Sequence, residues 1–188
     1  FVCNCGINIS GVVDVQQVED YVSTLPGVAF TTQNLFSCSE DSQQLMKEAI
    51  LEHNLNRIVV ASCTPKTHET IFMETLEACG LNKYLFEMAN IRNQDSWVHA
   101  DDPELATEKA KQLVHMAIAR AAKLSALHEK RIPVTPRALV VGGGVAGMTS
   151  ALSLADQGFE TYLVEKEKEL GGLARKLTTT IEGGDIQD

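Results

Sequence analysis

The residues of this chain best suited to chemistry are its cysteines and one glycine-rich turn. Cys3 and Cys5 follow the first apolar run, Cys38 follows a second strand-like stretch, and Cys63 ends a third (RIVVASC, residues 57–63). In an open parallel sheet, ligands gather outside the carboxyl ends of the strands. Cys3, Cys5, Cys38 and Cys63 can therefore converge on one edge, a site-like arrangement rather than scatter, which makes them the candidate metal ligands. Four thiolates suffice for tetrahedral zinc or for an iron–sulfur cluster. Zinc knuckles usually separate their cysteines by two or more residues. Cys3-Asn4-Cys5 is tighter than that, and Cys38 and Cys63 stand alone, which favours a cluster over one zinc ion. Spacing leaves three readings open: a cluster, a zinc site or redox disulfide, and small buried hydrophobes at strand ends. The fifth cysteine, Cys79, lies beside Gly80 at a helix end and reads as a core residue. His68 and Glu69 are either an outer layer around a thiol site or a solvated helix face, and Trp97, in the loop with His99, reads as a packing anchor.

The second constellation is Gly142-Gly143-Gly144-Val145-Ala146-Gly147, which satisfies G-x-G-x-x-G. A strand (ALVV, residues 138–141) leads into it, a helix follows, Gly158 ends that helix, and a second strand (ETYLV) closes on Glu165. Each piece has a physical reason. Gly142 permits the tight turn, Gly144 lets the backbone approach a pyrophosphate, and Gly147 lets helix and strand pack closely. Val145 and Ala146 open a helix whose free N–H groups and dipole suit phosphates. Glu165, 23 residues after Gly142, can accept hydrogen bonds from ribose hydroxyls. A basic residue there would favour a 2′-phosphate; Lys166 is adjacent and is counted among the cofactor-binding residues. Taken alone, such a glycine pattern is also compatible with a turn that binds nothing.

Positioning these residues requires alternating strands and helices. Asp14 can cap a helix to about Ser23 with Val15, Val18 and Val22 on one face, stopped by Pro26-Gly27. Residues 28–38 hold a strand of uncertain register. Ser39 or Asp41 caps a helix to about His53, with Leu45, Met46, Ala49 and Ile50 as its buried stripe. Thr64-Pro65 opens a helix towards Cys79, residues 84–91 form a fourth strand, and Asp102-Pro103 opens a helix towards Leu127. In that last helix Leu105, Ala106, Lys109, Leu113, Met116 and Ala117 recur at helical spacing. The fold class is α/β: a parallel-sheet α/β domain at 1–130, a Pro133/Pro136 linker at 128–137, then the beginning of a Rossmann-like domain at 138–188.

Composition excludes several classes. A net charge of −9 argues against a basic nucleic-acid surface. No apolar run approaches the roughly 18 residues of a membrane span. With 44% hydrophobic residues the chain can build a core. The odd cysteine count in a chain that is no small secreted scaffold points to metal or redox chemistry rather than a disulfide framework. There is no initiator Met and no signal-peptide pattern, so the natural N-terminus is expected to be missing or processed.

Two resemblances add to this reading. The stretch EKEKELGG, from Glu165 to Gly172, resembles FAD-containing disulfide-reductase-like proteins, in which an acid is followed by a Gly-Gly turn near the flavin. This implies FAD, with Gly171, Gly172 and Leu173 joining the cofactor-binding set. Over essentially the whole chain, CNCGINISGVVDV, FSCS, VASCTPKTHETIF, ANIRNQDSWVH, VVGGGVAGMTSALSLADQGF, GGLARKL and EGGDIQD resemble the N-terminal region of the A-type subunit of heterodisulfide reductase and its bacterial relatives. That resemblance implies a larger cytoplasmic oxidoreductase, of which these residues alone are not active. It implies a thioredoxin-reductase-like FAD domain, a [4Fe-4S] cluster on Cys3, Cys5, Cys38 and Cys63, and ferredoxin-like modules further along. The implied partners are B- and C-like subunits, hydrogenase or formate dehydrogenase modules, ferredoxin and a second copy. Flavin-based bifurcation is the implied mode of electron transfer, with no side chain as catalytic acid, base or nucleophile. The alternative is an NAD(P)H-dependent flavin oxidoreductase with a structural or zinc-binding assembly domain.

Overall fold

The structure is a computed structural model that describes residues 1–185; the last three residues of the EGGDIQD motif lie outside the described residues. The chain divides into two units, Phe1–Glu129 and Lys130–Asp188. Residues 124–136 contain neither helix nor strand.

The first unit contains β1 (Val2–Cys3), α1 (Val15–Ser23), β2 (Gln33–Asn34), α2 (Glu40–Glu52), β3 (Ile58–Ser62), α3 (Pro65–Ala78), β4 (Phe86–Asn90) and α4 (Pro103–Ala121). The strands form one parallel sheet in the order β2-β1-β3-β4. Side chains alternate across a strand, so consecutive residues feed opposite cores. On one face Ala61 and Ala89 pack with Val15, Val18 and Val22 of α1 and with Ala106, Ala110, Val114 and Ala117 of α4. On the other face Ile58, Val60, Phe86 and Met88 pack with Met46 and Ile50 of α2 and Phe72 and Leu76 of α3. Burial on both faces explains the continuous apolar run of β3.

The helix starts follow their caps. The Asp14 carboxylate accepts from the Gln17 N–H, Ser39 from Ser42, and Asp102 from Leu105. Pro65 and Pro103 occupy first-turn positions, where a missing N–H costs nothing.

Several expected details differ. Residues 28–38 contribute only the two-residue β2, an edge strand whose sole neighbour, β1, is equally short. Cys3 is the last residue of β1 rather than a residue beyond it. Leu45 is exposed, because α2 turns Met46, Ala49 and Ile50 inward. In α4 the exposed residues include Leu105 and Met116, while the buried stripe is Ala106, Thr107, Ala110, Val114, Ala117 and Ala121. Small side chains there let α4 approach both the sheet and α1. The helix also stops at Ala121, short of Leu127. Among the described residues no helix is long and apolar enough to cross a membrane.

The second unit contains β5 (Arg137–Val141), α5 (Val145–Asp156) and β6 (Glu160–Val164), followed by a 3-10 turn at Gly172–Lys176. β5 and β6 pair in parallel, Val141 opposite Val164.

Candidate functional site

In the first unit the parallel topology brings the carboxyl ends of β2, β1 and β3 side by side. Cys3 ends β1, and Cys5 lies two residues on. Cys38 lies in the turn between β2 and α2, and Cys63 directly follows β3. Cys38 and Cys63 immediately precede Ser39 and Thr64, the N-cap residues of α2 and α3, so two positive helix ends open beside them. Thr64 makes no side-chain cap bond.

Cys3 and Cys63 are buried, Cys5 is half-buried and Cys38 is exposed; all are free thiols. Burial pushes the Cys3 thiol up, hydrogen bonding from Ser37 opposes this, and the charges of Cys5 and Cys63 add to the rise. Burial likewise raises Cys38, with Cys3 and Cys63 contributing. Cys3 therefore lies within electrostatic reach of the other three. Among the described residues, however, no three His, Cys, Asp or Glu side chains stand in a metal-ligating group. The chemistry of the donor set is that of an iron–sulfur centre: four free thiols on the segments after β1, β2 and β3, with a backbone N–H from Ser37 to Cys3 Sγ at 3.4 Å.

The neighbouring side chains divide less simply than spacing implies. His68 is half-buried and Glu69 exposed in the opening turns of α3. Trp97 is exposed rather than a packing anchor, and the Arg92 guanidinium lies 4.8 Å from its ring centre. Ile7, Leu35, Trp97 and Val98 form exposed apolar tips on the loops after β1, β2 and β4. Cys79 is half-buried at the C-cap of α3, apart from this edge. A cavity of about 410 Å³ between residues 28–31, 54–59 and the end of α4 takes in none of the cysteines.

Sequence reading missed the polar groups buried here. Ser37 and Ser62 each directly precede a cysteine, and a repeated Ser-Cys pair was the available signal. Both hydroxyl oxygens, and Asn34 Oδ1, are buried without a hydrogen-bond partner of normal geometry. Asp95, in the π-helical turn Arg92–Ser96 that follows β4, is fully buried with both carboxylate oxygens unpartnered. Desolvation pushes its pKa up to about 6, against the opposing pull of His99 and Lys109. A carboxyl raised in the folded state stabilises most below its unfolded pKa, and that contribution is lost as pH climbs through the folded value. Asp95→Asn is accordingly expected to raise the melting temperature at pH 7–8, with the advantage over wild type vanishing below about pH 4. Thermal denaturation across pH checks this; a constant difference at every pH would contradict it.

The second unit assembles the glycine turn in one place. Gly142 has φ +106° and donates its N–H to Val164 O at 2.7 Å. A Cβ on Gly147 would stand 1.8 Å from Gly142 O, so this glycine is fixed by close packing of α5 on the turn. A Cβ on Gly144 would meet nothing within 4 Å. Gly144 is thus not required by the protein's own packing, and the space above it at the start of α5 suits a phosphate. Val145 and Ala146, in the exposed first turn of α5, present backbone N–H groups there.

Glu165 Oε2 accepts from the Gly143 N–H at 2.6 Å, and Oε1 accepts from the Glu167 N–H at 2.9 Å. These bonds, that from Glu167 foremost, hold its pKa below the usual range. A carboxylate has about four lone-pair sites, so ribose hydroxyls can still be accepted. The Gly171 N–H donates to Gly143 O at 2.8 Å, and a Cβ on Gly172 would lie 3.1 Å from Gly144 Cα. The Gly-Gly pair therefore lies directly against the glycine turn. Lys166 and Leu173 point largely into solvent. Glu165→Ala is expected to weaken flavin binding by about 1.5–3 kcal/mol, measured by flavin titration of the full-length apoprotein. Unchanged affinity would contradict that role.

Strand, glycine turn, helix, strand and terminal acid define the opening of a dinucleotide-binding fold, and residues 138–188 match the family described as FAD dependent oxidoreductase. The similarity to known proteins runs through both units. The chain is 51% identical over 180 residues to the A-type subunit of the H(2):CoB-CoM heterodisulfide,ferredoxin reductase of Methanothermobacter thermautotrophicus, covering 96% of this chain and 27% of that protein. It is 50% identical over 185 residues to an A-type iron-sulfur subunit of the CoB--CoM heterodisulfide reductase of Methanopyrus kandleri, covering 98% and 28%. It is 46% identical over 185 residues to a protein of Archaeoglobus profundus that is itself described as like the A-type heterodisulfide reductase subunit, covering 98% and 26%. Over nearly its whole length the chain is similar to A-type heterodisulfide reductase subunits, and it spans about a quarter of the length of these relatives.

Proposed function

We propose that the chain is part of an electron-transfer flavoprotein subunit, in which the first unit carries a [4Fe-4S] cluster and the second begins the FAD-binding domain. The observation that carries this reading is the division of labour among the glycines: Gly147 is fixed by Gly142 O, whereas Gly144 leaves open space at a helix N-terminus. Gly142, Gly144 and Gly147 would line the FAD pyrophosphate with the Val145 and Ala146 amides, Glu165 would take the adenosine ribose, and Lys166, Gly171, Gly172 and Leu173 would border the cofactor. Cys3, Cys5, Cys38 and Cys63 would hold the cluster. When bound, FAD supplies one- and two-electron transfer and the cluster one-electron transfer. The protein's own part is to fix both groups, exclude water from the buried Cys3 side and set the local electrostatics with the ends of α2 and α3.

The relatives' names motivate the wider setting. The full-length protein would act in the cytoplasm within a heterodisulfide-reductase-like complex, as a homodimer with B- and C-like subunits and a hydrogenase or formate dehydrogenase module. Ferredoxin would be one electron partner, and flavin-based bifurcation the mode of transfer. The apolar tips Ile7, Leu35, Trp97 and Val98 suit a small interface beside the cluster. Identification of the nucleotide released on denaturing purified full-length protein tests the cofactor assignment: FAD is expected, and release of NAD alone or of nothing would contradict it.

A further inference from the structure

We infer that Ser37 is a positioning residue for the cluster, its hydroxyl and backbone N–H both donating to the Cys3 thiolate; this rests on the four-cysteine reading above. Ser37 is fully buried in the turn between β2 and α2, one residue before Cys38. Its N–H already points at Cys3 Sγ, at 3.4 Å. Yet the Ser37 hydroxyl has no hydrogen-bond partner of normal geometry, although its carbonyl accepts from Gln43 Nε2.

A buried hydroxyl without a partner costs stability. That cost is removed once Cys3 is a metal-bound thiolate, because the sulfur then accepts from the O–H. Ser37 thereby joins the two cysteine-bearing segments, its own turn bearing Cys38 and β1 bearing Cys3. Donors to cluster sulfurs favour the added electron and raise the reduction potential.

Ser37→Ala in full-length protein tests this, with iron and labile sulfide content measured beside an EPR-monitored redox titration under anaerobic conditions. The expected result is wild-type cluster content with a more negative potential for this cluster, and recovery towards the wild-type potential in Ser37→Thr. A potential unchanged in Ser37→Ala at full cluster content would overturn the inference, as would loss of the cluster from Ser37→Ala alone. Full iron content retained in Cys38→Ser would instead overturn the four-cysteine reading, so the two failures are distinguishable.

Discussion

Full-length protein carrying valine at Gly144 is expected to fold normally and to emerge from purification with almost no flavin. The two halves of that expectation have separate causes. A Cβ at Gly144 meets no protein atom within 4 Å, and its φ of −73° is open to any residue, so the apoprotein should accept the change. The same Cβ intrudes where a pyrophosphate must approach the helix N-terminus. Gly147→Ala is the contrasting case. Its methyl would stand 1.8 Å from Gly142 O, so the turn itself must move, at a cost above about 3 kcal/mol. Flavin quantification and thermal denaturation of both variants separate the roles: Gly144→Val loses the ligand with little loss of stability, and Gly147→Ala loses both. Stoichiometric FAD in Gly144→Val protein would remove the main support for the flavin assignment.

The second large effect falls on the cysteines. Cys38→Ser is expected to remove about four irons per chain, while the first unit keeps its fold. Cys38 is the exposed member of the set, and α2 is capped by Ser39 rather than by the thiol. Cys79→Ser should leave iron content unchanged, because Cys79 lies at the far end of α3 with its thiol directed towards Lys47 O. Iron analysis on anaerobically purified proteins checks both. Full iron in the Cys38 variant would argue that these thiols are ordinary strand-end residues.

Much of this architecture is legible in the sequence wherever a physical requirement is local. The glycine turn is an example: Gly142, Gly147 and Glu165 answer to backbone geometry within one strand–helix–strand passage. Caps at Asp14, Ser39 and Asp102 are similarly self-contained, since each side chain bonds an amide three residues away. The segments bearing Cys3, Cys5, Cys38 and Cys63 follow neighbouring parallel strands, which the alternation of strands and helices foretells, while the mutual placement of their sulfurs is set by the loops between. The misreadings lie where packing decides. In α4, Leu105 and Met116 share helical spacing with Ala106 and Ala117, and only the closeness of the sheet and α1 selects the alanine side. Residues 28–38 look strand-like, but an edge strand can be no longer than its pairing partner allows, and β1 offers two residues. Ser37 is marked only by its place before Cys38, a pairing that Ser62-Cys63 repeats, and Asp95 carries no signal of its own, because a buried polar group becomes noticeable only when its surroundings are known.

A cluster and a flavin held by one chain can be tested together, by the joint content of iron, acid-labile sulfide and flavin in anaerobically purified full-length protein, compared between wild type and Cys3→Ser. Cys3 is buried at the end of β1, the strand that lies between β2 and β3, so its loss should dismantle the site. The expected result is FAD in both proteins and about four fewer irons and sulfides per chain in the variant. Equal iron in the two proteins, or wild-type protein without FAD, would contradict it.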